Sequence, residues 1–285
     1  MNENKTNINW YPGHMAKAKR EIKENLKLID IIIEIIDARI PRSSRNPDFD
    51  EIVLSKPRIV ALNKSDMSDK LVNDLWVKRL KEEGTPVTLI NALTGNGIGE
   101  TMRLTSKLME DKLNMHAEKG RIGKPIRALV LGIPNSGKSS FINKVAGRQV
   151  AVVGNKPGVT KEGKWIKTNF GVELMDTPGI LWPKFENEET ALHLAYTGAI
   201  KYELLDNTEL TLKLIEELKE NYSEELKTRY KLEDIDGTPL SIYEKIGKNR
   251  GYLISGGEID YERTANMIVD EFRKGIIGRI SLERP

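Results

Sequence analysis

The sequence predicts a doubly wound α/β domain with a mainly parallel sheet, followed by a smaller all-helical domain. Three observations lead to this prediction. Short β-branched runs alternate with stretches of helical spacing, a glycine-rich phosphate loop lies between a strand and a helix, and the strand pattern fades near residue 183. Strands that alternate with helices form parallel sheets, whose ligands bind beyond the carboxyl ends of the strands. We place the two domains at residues 1–184 and 185–285.

The first predicted element is a basic amphipathic helix over residues 14–28, whose apolar positions recur on one helical face. A nearly continuous β-branched run at 30–36 is typical of a strand that is buried on both faces. Further strands are predicted at 58–62, 87–91, 126–132 and 172–175, with helices at 70–83, 100–112 and 141–146.

The remaining elements are a connection and the helices of the second domain. The segment 111–124 is polar and contains Gly120 and Gly123, so we expect an exposed connection there. Thr238 before Pro239, and Asp260, are expected to begin helices. The helical stripes predicted to be buried are Leu210, Leu214, Ile215 and Leu218, and then Ala265, Ile268, Val269 and Phe272.

The composition is that of a soluble globular protein, with 39% hydrophobic and 31% charged residues, which excludes a disordered or low-complexity chain. The absence of cysteine excludes disulfides, thiolate zinc sites and iron–sulfur clusters. Neither a signal peptide nor a membrane span is predicted, so we expect a cytoplasmic protein. The net charge of +3 permits a polyanionic partner without requiring one.

The phosphate loop, residues 132–139, has the sequence GIPNSGKS and fits the pattern GxxxxGK[ST]. Its position between a strand and a helix is the context in which this pattern binds phosphates. Backbone N–H groups and the helix N-terminus attract phosphate oxygens, Lys138 neutralises their charge, and the Ser139 hydroxyl is a ligand for Mg²⁺. The loop therefore predicts a bound nucleotide with Mg²⁺.

A second phosphate-side motif, DTPG, occupies residues 176–179 after the strand at 172–175. Asp176 can hold Mg²⁺ through a water molecule, and the Gly179 N–H can contact a γ-phosphate. The polar segment 155–164 has little besides a nucleotide to order it, so it is a candidate switch. Thr160 within it can supply a second hydroxyl to Mg²⁺, although an ordinary loop threonine is the alternative.

The base is indicated by the sequence NKSD at residues 63–66. Asp66 can accept two hydrogen bonds from the N1–H and N2–H₂ edge of guanine, and a buried Asp66 would be left unpaired by adenine. We expect Lys64 to cover the purine and Asn63 to tie this loop to the phosphate loop. Asn91 and Ala92 resemble an [ST]-A-x turn whose backbone N–H contacts the guanine oxygen, with Asn in place of Ser or Thr.

The candidate nucleotide-binding residues fall into these motifs. They are Asn63, Lys64, Asp66, Asn91, Ala92, Pro134, Asn135, Ser136, Gly137, Lys138, Ser139, Ser140, Thr160 and Gly179. The candidate Mg²⁺ ligands are Ser139, Thr160 and, through water, Asp176.

The order of the motifs differs from that of Ras-like GTPases, in which the phosphate loop comes first and NKxD follows it. Here NKSD at 63–66 precedes the phosphate loop at 132–139, which predicts a circularly permuted domain with 111–124 joining the former termini. The chain that leaves DTPG then runs directly into the second domain, so switch movements would be coupled to that domain.

These motifs resemble those of the YlqF/YawG group of circularly permuted GTPases over nearly the whole chain. The resemblance also includes WYPGHMAK at 10–17, DARIP at 37–41, SSRNP at 43–47, DTPGILWP at 176–183 and SGG at 255–257. It implies a GTPase that binds the precursor of the large ribosomal subunit, contacts rRNA through its helical domain and leaves after hydrolysis. We expect such a protein to be monomeric off the ribosome.

The resemblance also implies roles for two further residues. Ile180 stands where Ras-like GTPases have a water-orienting glutamine, and in the family His14 is the proposed substitute. Asn135 matches an asparagine that holds K⁺ near the phosphates in some related GTPases, where the ion supplies positive charge. A loop histidine and a loop-bracing asparagine are the alternatives. The candidate catalytic residues are therefore His14, Lys138, Thr160 and Gly179.

Clusters of basic residues are candidate contacts to rRNA phosphates. They are Lys17, Lys19, Arg20, Lys23, Lys27, Arg39, Arg42, Arg45, Lys245, Lys248, Arg250, Arg273, Lys274 and Arg279. Solvated helix faces are the alternative, because acidic residues lie among them. Two other functions stay open: an RNA-binding assembly scaffold whose affinity is set by the nucleotide, and a small-molecule kinase or ATPase, which NKSD disfavours.

Overall fold

The structure, a computed structural model, describes residues 13–53, 56–120, 124–151, 165–182, 185, 187–200 and 207–285. The side chains of residues 13–16, 18 and 52 lie outside this description. Thr160 and the whole of the candidate switch at 155–164 also lie outside it.

The described part of the chain contains a six-stranded sheet with the order β3-β2-β1-β4-β6-β5. The strands are β1 (Ile31–Asp37), β2 (Arg58–Asn63), β3 (Val87–Leu89), β4 (Ile126–Leu131), β5 (Trp165–Lys167) and β6 (Val172–Asp176). All neighbouring pairs are parallel except β5 and β6, which are antiparallel. The prediction of a mainly parallel sheet is confirmed, whereas the short edge strand β5 was not predicted.

Helices flank the sheet and form the second half of the molecule. The first group is α1 (Gly13–Asn25), α2 (Pro47–Val53), α3 (Lys70–Glu82), α4 (Ile98–Leu108), α5 (Glu110–Glu118) and α6 (Lys138–Ala146). The second group is α7 (Glu188–Tyr196), α8 (Asn207–Asn221), α9 (Ser223–Tyr230), α10 (Pro239–Asn249) and α11 (Tyr261–Arg273). A short 3₁₀ turn, Leu26–Leu28, follows α1.

Two sequence predictions about these helices need correction. The helix predicted at 100–112 ends at Leu108, and a separate helix, α5, begins at Glu110. That helix occupies the first half of the segment expected to be an exposed connection. The segment is exposed as predicted, since no residue of α5 is fully buried, but it is helical because it lacks glycine and proline before Gly120.

The predicted starts of α10 and α11 are confirmed by their caps. The Thr238 hydroxyl accepts a hydrogen bond from the Ser241 amide at 3.2 Å, and Pro239 occupies the first turn. The Asp260 carboxylate accepts from the Arg263 amide at 3.0 Å. The predicted apolar stripes of α8 and α11 are buried.

Both faces of the sheet are covered by hydrophobic residues, as the run at 30–36 predicts. Ile31, Ile33 and Ile35 of β1 pack on one face with α4 and α6. Ile32 points to the opposite face and belongs to a cluster that contains residues of α7, α8, α10 and α11. Residues of the sheet and of the second group of helices therefore belong to one hydrophobic cluster, and the domain boundary at 184/185 stays a prediction.

Among the described helices, none has the length and apolar character required to cross a membrane.

Candidate active site

The phosphate loop occupies the turn between β4 and α6. Gly132 and Gly137 have φ of 154° and 98°, in the region that favours glycine. A Cβ at Gly132 would lie 2.4 Å from the Ile35 carbonyl oxygen, and one at Gly137 would lie 2.1 Å from Asn63 Nδ2. Both glycines are therefore required for the close approach of the loop to β1 and β2.

Lys138 begins α6 and is buried at the centre of the loop. Its ammonium group donates to the Ile133 carbonyl oxygen at 3.0 Å. Burial lowers the pKa of Lys138 to about 8, and the nearby Asp176 carboxylate opposes this shift. An anionic ligand would favour the charged form of the lysine, so the loop is suited to binding a phosphate group.

The DTPG turn lies directly against the phosphate loop. A Cβ at Gly179 would lie 2.7 Å from the Pro134 amide nitrogen and 3.1 Å from Lys138 Nζ, so a side chain at this position would displace the loop. The Thr177 hydroxyl fixes the turn by donating to the Val130 carbonyl at 2.7 Å. Gly179 is thus placed at the lysine that would contact the phosphates.

Asp176 carries a buried carboxylate oxygen, Oδ1, that has no hydrogen-bond partner among the described residues. Burial raises the pKa of Asp176, against the attraction of Lys138. An unpaired buried carboxylate oxygen costs free energy unless a donor or a cation faces it. The arrangement fits a hydrated Mg²⁺ ion.

Asn63 joins three loops at the end of β2. Its side chain donates from Nδ2 to the Ser136 carbonyl at 2.7 Å and accepts at Oδ1 from the Ala92 amide at 2.9 Å. The predicted tie between the NKSD loop and the phosphate loop is present. The Ala92 N–H, which was expected to face a guanine oxygen, is instead bonded to Asn63, because the two loops lie side by side at the same sheet edge.

The turn that contains Asn91 is stabilised by its own side chain. Asn91 Oδ1 accepts hydrogen bonds from the amides of Leu93 at 2.9 Å and Thr94 at 3.0 Å. Asparagine at this position therefore braces the turn, a role that serine or threonine can also fill.

Asp66 and Lys64 belong to the NKSD loop, which Asn63 joins to this turn. Asp66 is exposed, so the burial expected for its carboxylate is not present in the protein alone and would have to come from a base stacked beside it. The Lys64 ammonium is bonded to Asp37 Oδ2 at 2.8 Å. Burial lowers the pKa of Lys64, while Asp37 favours its charged form.

A buried ion cluster below the NKSD loop was not found by sequence reasoning. Arg39 is 1% exposed and makes two hydrogen bonds to the Asp37 carboxylate, at 2.9 and 2.8 Å. Although burial acts in the opposite direction, Arg39 and Lys64 hold the pKa of Asp37 well below its usual range. Arg39 also donates to the Phe272 carbonyl at 3.1 Å, at the end of α11. The prediction that Arg39 contacts rRNA is therefore wrong, because its guanidinium group is buried and paired inside the protein.

Asn135 connects the phosphate loop to the second group of helices. It has a left-handed backbone, with φ of 59°, and its Nδ2 donates to the Gly198 carbonyl just after α7. This bond is the loop-bracing role that was one alternative for Asn135. Because it uses the amide nitrogen, it does not occupy the amide oxygen, which is the atom that would face a cation.

Ile180, directly after DTPG, is 1% exposed and belongs to the hydrophobic cluster beneath α7. Its carbonyl accepts from Asn46 Nδ2 at 3.0 Å, so the SSRNP motif holds the exit of the DTPG turn. The side chain is therefore directed away from any attacking water, as its apolar character predicts.

Several predicted site residues are not tested by these contacts. The His14 side chain and the whole of Thr160 lie outside the described residues. Ser139 and Ser140 lie partly exposed in the first turn of α6, and Ser136 is buried with its hydroxyl donating to the Ile133 carbonyl at 2.9 Å. Their contacts to nucleotide or metal stay predictions.

The other basic residues divide into paired and exposed groups. Arg45 lies within 3.8 Å of Glu34, and Arg273 donates to the Ala195 carbonyl at 2.8 Å, so both are engaged within the protein. The exposed lysines are Lys17, Lys23, Lys27, Lys248 and Lys274, and Arg20, Arg42 and Arg279 are exposed as well. These exposed residues stay candidates for rRNA contact.

The phosphate loop, the DTPG turn and the NKSD loop all lie at the carboxyl edge of one parallel sheet, and NKSD comes first in the chain. This combination defines a P-loop GTPase whose motif order is circularly permuted.

Comparisons with known proteins identify the family. Residues 127–245 match a family described as 50S ribosome-binding GTPase. The chain is 45% identical over 278 residues to ribosome biogenesis GTPase A of Bacillus licheniformis, covering 98% of each protein. Among solved structures, GDP-bound TM YlqF has a TM-score of 0.68 at 27% identity, over 93% of this chain and 99% of that one. GNP-bound YlqF from T. maritima has a TM-score of 0.65 at 28% identity, over 94% and 98%.

The chain therefore belongs to the ribosome biogenesis GTPase A family. It binds GTP and hydrolyses it to GDP and phosphate, and it acts with the ribosome during assembly.

Proposed function

We propose that this GTPase acts on the precursor of the large ribosomal subunit, contacts rRNA through its second group of helices, and hydrolyses GTP faster when bound to the particle. The observation that carries the proposal is that this half of the chain bonds directly to the phosphate loop, through Asn135 to Gly198. It also bonds through Phe272 to Arg39, whose partner Asp37 holds Lys64 of the NKSD loop. A particle that moves these helices would therefore act on the site itself. Off the ribosome the protein would be a cytoplasmic monomer.

In the proposed site, the phosphate loop and Lys138 hold the β- and γ-phosphates, and the Gly179 N–H faces the γ-phosphate. Ser139 and Thr160 would supply hydroxyls to Mg²⁺, and Asp176 would hold the ion through water. When bound, the ion would supply positive charge to the phosphate oxygens. The contact between Gly179 and the lysine makes the DTPG turn sensitive to loss of the γ-phosphate.

Guanine is proposed to lie between the NKSD loop and the turn at 91–95. Its N1–H and N2–H₂ groups would donate to Asp66, and the Lys64 stem would cover one face of the base. Asn63 already joins both loops to the phosphate loop, so the base and the phosphates would be held at a fixed position relative to each other.

We propose His14 as the group that orients the attacking water, because Ile180 is buried away from the site. His14→Ala is expected to reduce particle-stimulated hydrolysis by about 10²-fold, the range of a general base, while leaving GTP affinity unchanged. Single-turnover hydrolysis and equilibrium binding should be measured on the same preparation. Glu24→Ala, an exposed change on the same helix that is not a candidate rRNA contact, is the matched control. Undiminished turnover of His14→Ala would remove His14 as the catalyst.

The Asn135 side chain is proposed to place its oxygen on a K⁺ ion while its nitrogen bonds Gly198. The ion would add positive charge near the β- and γ-phosphates. Replacing K⁺ by Na⁺ in the assay below should lower turnover, and equal rates would leave Asn135 only its bracing role.

The test of the proposed function is GTP hydrolysis in K⁺ buffer with and without purified large ribosomal subunits, using ATP and small subunits as controls. Stimulation by large subunits alone, with no ATP turnover, is the expected result. Particle binding without stimulation would favour an assembly scaffold in which hydrolysis is incidental.

A further inference from the structure

The segment after α11, residues 276–285, lies across the NKSD loop, and we call it the strap. Ile277 and Ile280 of the strap are buried in the same hydrophobic cluster as α8 and α11. The strap is therefore packed against the second group of helices along one side. Its other side faces residues 64–69, which we call the base loop.

Strap residues make four hydrogen bonds to the base loop. Arg279 donates from Nη2 to the Ser65 carbonyl at 2.9 Å and from Nε to the Ser68 carbonyl at 3.0 Å. The Ile280 amide donates to the Met67 carbonyl at 2.9 Å, and the Ser281 hydroxyl accepts from the Asp69 amide at 3.1 Å. These bonds fix the backbone immediately before and after Asp66.

The chain is also held close to the protein on both sides of Arg279. Just before the strap Gly275, with φ of 67°, approaches the base loop so closely that a Cβ would lie 2.9 Å from Met67 Cγ. Near the end of the strap the Glu283 carboxylate accepts hydrogen bonds from the amides of Arg42 at 2.5 Å and Ser43 at 3.0 Å. Such anchoring holds the intervening residues in a fixed register.

The Glu283 anchor is reinforced by a buried histidine from α7. His193 Nδ1 lies 2.9 Å from Glu283 Oε1, and its Nε2 lies 3.2 Å from Glu217 Oε2. Burial disfavours the charged histidine, but hydrogen bonds to both carboxylates outweigh it and raise the pKa of His193 to about 9. The imidazolium therefore keeps the end of the strap paired at neutral pH.

We infer that Arg279 is a positioning residue for guanine recognition. The Asp66 carboxylate is exposed, with no hydrogen-bond partner among the described residues, so its direction depends on the backbone that carries it. Arg279 fixes that backbone by bonding the carbonyls on both sides of it. Two nitrogen atoms of Arg279 are thereby used on the base loop, and its contact with rRNA stays a prediction.

The inference rests on the proposed contact between guanine and Asp66. It adds that selectivity for the base depends on a segment outside the nucleotide motifs. The 2-amino group of guanine is the sensitive probe, because inosine nucleotides lack it and can donate only one hydrogen bond to the carboxylate. A change in the direction of the Asp66 carboxylate should therefore weaken the binding of guanosine nucleotides more than the binding of inosine nucleotides.

The experiment measures equilibrium dissociation constants of GDP and IDP for the full chain and for Arg279→Ala. We expect the ratio of the IDP constant to the GDP constant to fall about three- to tenfold in Arg279→Ala, as expected for loosening one charge-assisted contact. Arg279→Lys, which can still donate to one of the carbonyls, should lie between the two. The ratio is independent of the fraction of folded protein, so a general loss of stability does not imitate this result.

Arg263→Ala is the matched control, because Arg263 stacks on Tyr252 at 4.3 Å, within the second group of helices. It should keep the wild-type ratio. An unchanged ratio in Arg279→Ala would overturn the positioning role alone. If the ratio measured for the unchanged protein is near one, the base contact at Asp66 is overturned and the inference with it. If Arg279→Ala does not fold, the test is made with Arg279→Lys, and a ratio equal to that of the unchanged protein overturns the inference.

Discussion

Asp66→Asn is expected to weaken GTP binding about 100-fold and to improve XTP binding, so that the nucleotide preference reverses. Two charge-assisted hydrogen bonds of about 1.5 kcal/mol each correspond to this change. Asparagine offers one acceptor and one donor in place of two acceptors. Xanthine presents the complementary N1–H donor and a carbonyl oxygen in place of the 2-amino group. Competition of GTP and XTP for a fluorescent nucleotide measures both affinities.

The structure predicts that this change leaves the fold intact. Asp66 is exposed and makes no hydrogen bond within the described part of the chain, and exposed substitutions alter the free energy of unfolding by less than about 0.5 kcal/mol. Asp74→Asn, the same substitution on the exposed side of α3, is the control and should retain the GTP preference. An Asp66→Asn protein that still prefers GTP would place the base elsewhere.

The sheet and the phosphate-side motifs could be predicted because each is encoded locally. The run at 31–36 is mostly β-branched and apolar, with isoleucine on both faces of the strand. The phosphate loop has a defined residue pattern between a strand and a helix. The starts of α10 and α11 follow from single capping residues. In these cases the residues that decide the structure are neighbours in the chain.

The contacts that join the two halves could not be predicted, because they depend on tertiary packing. Arg39 lies in a loop with other arginines, and nothing in its sequence neighbours distinguishes the buried one from those at the surface. Asn135 bonds a carbonyl 63 residues away, and Arg279 bonds one 214 residues away. Backbone carbonyls carry no side-chain signature, so such bonds leave no pattern in one sequence.

The predicted RNA contacts of the basic residues also could not be checked from the sequence, because they depend on tertiary packing too. A count of charges treats Arg39, Arg273 and Arg279 as candidate RNA contacts, yet all three donate to backbone carbonyls of the protein. The bonds of Arg39 and Arg279 join the two halves, whereas the bond of Arg273 joins α11 to α7. Arginine suits this role because its planar group donates in several directions and stays charged when buried. Part of the positive charge therefore serves to hold the halves together.

Lys138→Ala is expected to reduce GTP and GDP affinity by about 10²- to 10³-fold, the effect of removing one partner of a buried charge pair worth roughly 3–4 kcal/mol. The lysine is buried, with its ammonium bonded to the Ile133 carbonyl and close to Gly179, so its removal takes positive charge away from the centre of the phosphate loop. Titration calorimetry with GDP gives the affinity. Lys78→Ala, on the exposed face of α3, is the control and should bind normally.

The pH dependence separates a phosphate contact from a structural role of Lys138. Burial sets the pKa of Lys138 at about 8 in the free protein, and phosphate oxygens would raise it in the complex. Binding then takes up a proton above pH 8, so affinity is full below that pH and falls as pH rises through it, by up to about tenfold per unit. Lys138→Ala should lack this decline over pH 7 to 9. A Lys138→Ala protein that keeps its affinity, or a decline that persists without the lysine, would remove the assignment of Lys138 to the phosphates.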